Sequence, residues 1–431
     1  MDRLLTLRIR KKSQTEMLIG VIIILPFLWQ GISSVFPSLS QISYLIDVMW
    51  LWLLILIVKY QRSLAGNIPS AFPVWIGLFF VFTLIVFALN YQSIWYYLWG
   101  VRNNFRFYVA FLAFAYFLNT ENVEGYLKLF DKLFWINTIV CLFQRFILGF
   151  SQDNLGGLFG VRSGSNGHLN IFMVIVVTKA IVYYFNKKES IKECLLKVSA
   201  ALLIAALAEL KFFFIEIAII LALASLVSKF SWRKVLAIIL ILVGIVLGVS
   251  LLEALFPEFA GMFTIEGILA NSASEQGYTS SGDLNRLTAI PTIVERFFSH
   301  EGSSLIGYGL GNCDYSSAFE FLTTPFFKAH SWMHYMWFST AFIFLEMGYI
   351  GLIFFLGFFV LVFACSEKAS RKNRDKKVHC QVAKITSILA VLIAIYNVSL
   401  RTESGYMMYF MLALPFVRTS GDGSKEVQVN Q

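Results

Sequence analysis

Charged residues are scarce in this chain: Asp, Glu, Lys and Arg make up only 14% of its 431 residues, whereas 58% are hydrophobic. Such a composition goes well beyond what the core of a soluble domain needs, so a soluble protein is excluded. Apolar runs long enough to cross roughly 30 Å of hydrocarbon recur along the whole chain. The sequence therefore predicts an all-α fold, a polytopic helical membrane protein.

Paired cysteines and internal repeats are also missing. The five cysteines are scattered without a C-x-x-C pair, which implies neither a disulfide framework nor a zinc ribbon. The lack of a strong internal repeat argues against the interpretation as an inverted-repeat transporter but does not exclude it. The first apolar run begins near Met17 after a basic leader, and no convincing cleavage site follows it, so we expect a retained span.

The apolar runs predict about twelve transmembrane spans. They cover roughly 17–36, 43–58, 72–89, 104–118, 129–149, 168–185, 195–208, 212–228, 235–256, 335–365, 382–400 and 405–417. Lys and Arg concentrate on the N-terminal side of the membrane, which predicts that both termini are cytoplasmic. The predicted organisation is a bundle over 1–256, an extracytoplasmic loop over 257–329, the rest of the bundle over 330–417 and a cytoplasmic tail over 418–431.

The few basic residues predicted to lie outside are mostly Arg, whereas those inside are mostly Lys. The outer set is Arg102, Arg106, Arg145, Arg162, Lys211, Arg286, Arg296, Lys328 and Arg401. Each arginine alone is most simply explained by snorkelling and pairing with a nearby acid. As a set they predict a shared anionic ligand, because the guanidinium fork binds phosphate or carboxylate in a bidentate manner.

The long outer loop contains an amphipathic segment, SGDLNRLTAIPTIVERFF. Apolar residues at helical spacing from Leu284 to Phe298 predict a helix that carries Arg286. Asp283 is its expected N-cap, and Pro291 is expected to kink or restart it. Such a helix would lie on the outer membrane surface or pack over the bundle.

The stretch from Leu305 to Phe338 contains a glycine run, GYGLGN, followed by two histidines. The run follows a helix rather than a strand and has no Walker lysine, so we interpret it as a tight turn with positive φ, not a nucleotide loop. His330 and His334 have i, i+4 spacing but lack the glutamate of H-E-x-x-H. A metal site, a structural role and an acid–base or ligand-binding role all remain open for them, the last being favoured.

Ionisable residues inside the predicted membrane region are functional candidates. They are Asp47, Glu209, Lys211, Glu216 and Glu346. Lys211 lies in ALAELKFFFIEIA, at the predicted outer tip between two spans, where it either meets an anionic ligand or is neutralised by Glu209. A second glycine-rich turn, GGLFGVRSGSNGHLN, precedes the sixth span and carries Arg162 and His168.

The order of these segments resembles a known family. GVRSGSNGH, the AELK hairpin, SGDLNRLTAI, LIGYGLGN, AHSWMHYMWF and FLEMGYIGL together resemble the O-antigen polymerase and O-antigen ligase superfamily over roughly residues 150–365. The resemblance implies a GT-C-like fold and metal-independent, inverting glycosyl transfer on the outer face of the bacterial cytoplasmic membrane, with no cofactor. The implied donor is a polyprenyl-pyrophosphate-linked oligosaccharide, and a flippase and a chain-length regulator are the implied partner proteins.

The family's functional positions map here to Lys211, Arg286 and His330 as catalytic residues. Lys211 stands where the family usually has Arg, and Ser331 follows the histidine where Asn is common. The expected substrate-binding residues are Arg162, Arg102, Arg106, Arg401, His334, Glu346 and Asn312. Polymerisation of repeat units is the favoured activity. A ligase that passes a finished glycan to another lipid, and a transporter or flippase of lipid-linked sugars, are the alternatives, and nucleic acid is not an expected partner.

Overall fold

The computed structural model describes residues 2–36, 44–64, 68–228, 231–261, 277–279, 282–298 and 301–419. Helices dominate these residues, and only two isolated β-bridges occur among them. The helices are α1 (Asp2–Val35), α2 (Leu45–Leu64), α3 (Ala71–Leu89), α4 (Ile94–Phe117), α5 (Thr120–Phe146), α6 (Ser165–Phe185), α7 (Ile191–Leu207), α8 (Lys211–Leu226), α9 (Trp232–Leu255), α10 (Ala289–Phe297), α11 (Glu301–Ile306), α12 (Pro325–His330), α13 (Ser339–Lys372), α14 (Lys377–Tyr396) and α15 (Gly405–Ala413).

Six helices in the described ranges are long and apolar enough to cross a membrane. They are the Thr15–Ser34 part of α1 and all of α3, α6, α9, α13 and α14. A helix also overlaps each of the other predicted spans, but α7, α8 and α15 are short, and α2, α4 and α5 carry charged residues. The protein is therefore a helical membrane protein, and the number of twelve crossings stays a prediction.

Burial separates central helices from peripheral ones. Nearly every residue of α6 and every residue of α15 is buried, so both helices lie inside the bundle. In contrast, α3 and α9 expose apolar side chains such as Leu78, Ile85, Val243 and Leu247. Lipid is the solvent that suits these outer faces, because their exposed side chains are apolar and a helix pairs its backbone polar groups internally.

Helix α13 is broken at Gly348, whose φ of 60° and ψ of −161° are not helical. The break separates a buried piece, 339–347, from a longer piece, 349–372. At the break the carbonyls of Leu345 and Glu346 accept hydrogen bonds from the N–H groups of Tyr308 and Gly309, at 2.9 and 2.7 Å. The loop before the helix thus satisfies polar backbone groups that would otherwise be unpaired in a low-dielectric region.

The donors belong to the glycine run, which adopts the predicted turn. Gly307, Gly309 and Gly311 all have positive φ, so the interpretation as a tight turn is confirmed. A Cβ at Gly311 would lie 1.9 Å from the carbonyl oxygen of Tyr96, and one at Gly307 would lie 2.6 Å from the backbone of Glu346. The run therefore fits tightly between α4 and the broken helix.

The amphipathic helix of the long loop is shorter than predicted. It begins at Ala289 rather than near Leu284, with Thr288 at the N-cap position, and Pro291 lies in its first turn, where a missing N–H costs nothing. The predicted N-cap at Asp283 is wrong, because its side chain binds His334 instead. Ile293 provides the buried contact of this helix, whereas Leu287 is exposed. Residues 262–276 of the loop and 420–431 of the tail lie outside the described residues.

Candidate functional site

A cavity of about 1170 Å³ lies at one end of the bundle. We call it the basic cavity, and its charged lining consists of Arg102, Arg106, Lys211, Arg286 and Arg401 together with Asp153, Glu209, Asp314 and Glu403. The five basic residues come from α4, the first residue of α8, the long loop and the α14–α15 turn. All five belong to the set that the charge pattern predicts on one side of the membrane, so the fold brings residues far apart in sequence to one site.

Three of the five cations have a carboxylate partner. Arg102 binds both oxygens of Asp47, each at 2.9 Å, and its guanidinium lies 4.7 Å from the ring centre of Trp99. Lys211 lies 2.8 Å from Glu209. Arg106 is buried and lies 3.4 Å from Glu403. Pairing with a nearby carboxylate thus accounts in part for the position of each of these three residues, and each of them also lines the cavity.

Arg286 and Arg401 have no carboxylate within ion-pair distance among the described residues. Arg286 donates to the carbonyl of Tyr396 and lies over the ring of the same residue. Arg401 is only 7% exposed, yet its Nε and one terminal nitrogen have no hydrogen-bond partner. Burial lowers the pKa of Arg401, and the nearby carboxylates of Glu346 and Asp314 oppose that shift. A buried guanidinium with unused donors can bind an anionic ligand.

Four helices begin at this cavity. Gly164 precedes α6, Lys211 opens α8, Phe338 precedes α13, and Glu403 lies two residues before α15, and all four residues line the cavity. The aligned peptide dipoles of a helix place partial positive charge at its start, which favours anions. Arginines and helix starts therefore give the cavity the same electrostatic preference.

His334 is the histidine that lines the cavity. Its backbone is left-handed, with φ 51°, so it does not continue a helix from His330, and the predicted i, i+4 helical pair is not formed. Its ring stacks on Trp337, with centroids 4.0 Å apart, and its Nδ1 lies 2.5 Å from Oδ1 of Asp283. The ring is held on two sides, by stacking and by a charge-assisted hydrogen bond.

His330 is not among the lining residues. Helix α12 ends at this residue, and its ring packs against Phe297 and Phe326, with centroids 4.9 and 4.8 Å away. Burial and the nearby Arg296 lower its pKa. The structure thus brings Lys211 and Arg286 to one cavity, but it does not bring His330 there.

Three other predicted substrate-binding residues also lie outside the lining. Arg162 donates to the carbonyl of Ser33. Asn312 donates to the carbonyl of Tyr308 within the glycine turn, at 2.6 Å. Glu346 is fully buried beside the helix break and accepts a hydrogen bond from the N–H of Cys313, at 3.4 Å. All three side chains thus bind backbone groups of residues that do not line the cavity.

Three lining carboxylates, Asp153, Asp314 and Glu403, were not predicted from the sequence. Asp314 accepts hydrogen bonds from the side chain of Asn103, at 2.6 Å, and from the N–H of Tyr315. Burial raises its pKa, against the effect of Arg401. Burial alone would raise the pKa of Glu403, but the nearby Arg106 and His168 have the larger effect, and the pKa of this carboxyl group is lowered. The only local signal was position: Asp314 follows the glycine run, and Glu403 follows Arg401.

The fold and this site define a helical membrane protein with a polar, arginine-lined cavity at one end. No family model matches the chain, and no curated protein matches it.

Proposed function

We propose that the protein polymerises polyprenyl-pyrophosphate-linked oligosaccharide repeat units into a surface polysaccharide, such as O-antigen, capsule or exopolysaccharide. The reaction is an inverting glycosyl transfer on the outer face of the bacterial cytoplasmic membrane. The observation that carries the proposal is the basic cavity, where Arg286 and Arg401 have no carboxylate partner among the described residues and four helix starts converge. The resemblance in sequence order supports the same class of reaction.

The chemistry requires stabilisation of a leaving diphosphate. As the bond from sugar C1 to the phosphate oxygen breaks, negative charge grows on that oxygen. Fixed guanidinium groups and helix starts in a site of low dielectric stabilise this charge more than water does. Arg401 has buried donors without a hydrogen-bond partner, Arg286 has no carboxylate partner among the described residues, and Lys211 adds a third positive charge at the same cavity.

The acceptor hydroxyl must lose its proton as it attacks C1. An imidazole is suited to this step because its ordinary pKa lies near neutrality. His334 lines the cavity and His330 does not, so we assign the proton acceptor to His334 in place of the sequence-based candidate. Direct displacement at C1 from the opposite face gives inversion.

The test uses the bacterium that carries this gene, with the gene deleted and then restored as variants. Deletion is expected to leave single repeat units in place of long polymer. Arg286→Ala and Arg401→Ala are each expected to lower polymer yield about 100-fold or more, the usual effect of losing a donor to a developing anion. Gel separation of the surface polysaccharide measures chain length and yield.

Arg371→Ala is the matched control, because Arg371 is 79% exposed and pairs with Glu367 far from the cavity. It is expected to leave polymer yield unchanged at equal protein level. Long lipid-linked chains in the deletion strain would point to a ligase instead. Movement of lipid-linked sugar across liposomes that lack an acceptor would point to a transporter. Normal polymer in the deletion strain would refute the proposal outright.

A further inference from the structure

Asp283 lies in a short loop that is fastened against the segment carrying His334. The N–H of Leu284 donates to the carbonyl of Met333 at 3.1 Å, and Asn285 donates to the carbonyl of Gly277 at 3.0 Å. Tyr278 and Leu284 form an antiparallel bridge, which closes the loop. These backbone contacts bring Asp283 within hydrogen-bond distance of a histidine 51 residues further along the chain.

The contact between the two side chains selects one tautomer of His334. An ionised carboxylate only accepts hydrogen bonds, so the Nδ1 that lies 2.5 Å from Asp283 must carry the proton. The other ring nitrogen, Nε2, then has a free lone pair. The side chain of His334 is 41% exposed whereas that of Asp283 is 18% exposed, so the imidazole faces the cavity and the carboxylate lies behind it.

The backbone of His334 is also unusual. A φ of 51° at a residue other than glycine costs free energy and persists only where the surroundings fix it. Here the N–H of His334 donates to the carbonyl of Ser331, its own carbonyl accepts from Trp337, and its ring stacks on the same tryptophan. The conformation turns the ring away from helix α12 and toward Asp283.

We propose that Asp283 is a positioning residue that holds His334 as the proton acceptor of the transfer reaction. This inference rests on the proposed function. The acceptor oxygen bonds to C1, the bond from C1 to the diphosphate oxygen breaks, and its electron pair leaves with the diphosphate. The hydroxyl proton goes to Nε2 of His334, and the carboxylate of Asp283 stabilises the resulting imidazolium without taking the proton itself.

The experiment measures polymer formation in membranes that contain the full-length protein. The probe is the lipid-linked repeat unit extracted from the deletion strain, varied in concentration. Asp283→Asn keeps the size of the side chain, but its amide can donate to Nδ1 and thereby favour the wrong tautomer. We expect kcat to fall at least tenfold while the KM for the lipid-linked donor stays within about twofold, because binding of the diphosphate does not involve this pair.

Thr279→Ala is the matched control for the loop. The Oγ1 of Thr279 accepts a hydrogen bond from the N–H of Asp283 at 3.2 Å and donates to its Oδ2 at 3.5 Å. Its removal loosens the loop but leaves the other carboxylate oxygen, Oδ1, in contact with Nδ1 of His334. We expect kcat within about twofold of the unchanged protein. An equal loss in Thr279→Ala and Asp283→Asn would show that Asp283 merely holds the loop, and would overturn the proposal.

Two further variants separate this inference from the proposed function. His334→Ala should lower kcat by about 100-fold or more, and added imidazole should restore part of it, because a small base can enter the vacated space. A fall in kcat with His334→Ala and Arg286→Ala, but none with Asp283→Asn, would leave the function standing and refute the role of Asp283. If membranes that contain the unchanged protein do not extend the lipid-linked repeat unit at all, the proposed function itself is refuted.

Discussion

Arg106 and Arg401 lie close together in the interior, where like charges repel and both have lost water. Arg106 donates to the backbone carbonyl of Arg401 at 3.3 Å, and both guanidinium groups lie over aromatic rings, that of Arg401 only 3.8 Å from the ring centre of Phe342. Glu403 is the carboxylate paired with Arg106. Removing one partner of a buried ion pair costs roughly 3–5 kcal/mol in soluble proteins, since the other charge stays behind.

Glu403→Gln is therefore expected to lower the midpoint of thermal unfolding in detergent micelles. The folded-state pKa of Glu403 is below its ordinary value of 4.5, so the pair contributes stability above that pH and loses it as the pH falls toward the lowered pKa. The variant should lack this acid-dependent loss. Glu295→Gln, at an exposed position of α10, is the control and should follow the unchanged protein at every pH.

The site residues show which signals the sequence carries and which it lacks. Lys211 and Arg401 were predictable because basic residues are scarce at span ends on that side of the membrane. Arg286 was predictable because the amphipathic segment of the long loop carries it. His334 was misread, since i, i+4 spacing predicts one helical face, whereas the chain ends α12 at His330 and turns at His334. Asp283 was predicted to cap a helix, because Asp is favoured at the N-cap before an apolar run. In the structure its carboxylate contacts His334 instead.

At the scale of elements, the apolar runs in the sequence predicted the positions of most helices. They did not predict the break in α13. The run from Ser339 to Lys372 is apolar on both sides of Gly348, and glycine alone does not distinguish a tolerated residue from a break. Its length was the available clue, because the run exceeds one straight crossing. The decisive information is tertiary: the backbone of Gly348 packs against Ser304 and Leu305.

Gly348→Ala is expected to destabilise the folded protein by about 2 kcal/mol or more. The residue has a positive φ, and an added Cβ would lie 2.3 Å from the backbone carbonyl carbon of Leu305. Gly77→Ala is the control, since Gly77 lies within α3 with nothing within 4 Å of the added Cβ. That change is expected to be neutral or slightly stabilising. Thermal unfolding in micelles compares the two, and equal midpoints would show that the break is not required.

At the scale of the whole molecule, charge asymmetry and the fold agree on one partition of the chain. Five of the nine basic residues predicted on the outer side of the membrane line a cavity at one end of the bundle. A different set, Lys179 and Lys197 with Asp131 and Glu189, forms a buried ion-pair network among α5, α6 and α7. The basic cavity, lined by four arginines and Lys211, and this lysine network therefore occupy separate parts of the fold.

The orientation of this partition is open to a labelling experiment. Glu320→Cys and Asp375→Cys place a thiol at exposed positions, in the loop beside the cavity and between α13 and α14. A membrane-impermeant maleimide is expected to label the first in intact cells and the second only after lysis, as the bias of Lys and Arg predicts. The five native cysteines are all buried, which keeps the background low. The reverse pattern would invert the predicted topology.

The pairing of the glycine turn with the broken helix also has an evolutionary consequence. Gly307 and Gly348 each press against the backbone of the other's segment, so neither can gain a side chain while the other segment keeps its course. Descendants of this gene should keep or lose the two glycines together. In a search for distant homologues, the two glycines, about forty positions apart, should be retained even where the surrounding apolar residues have diverged.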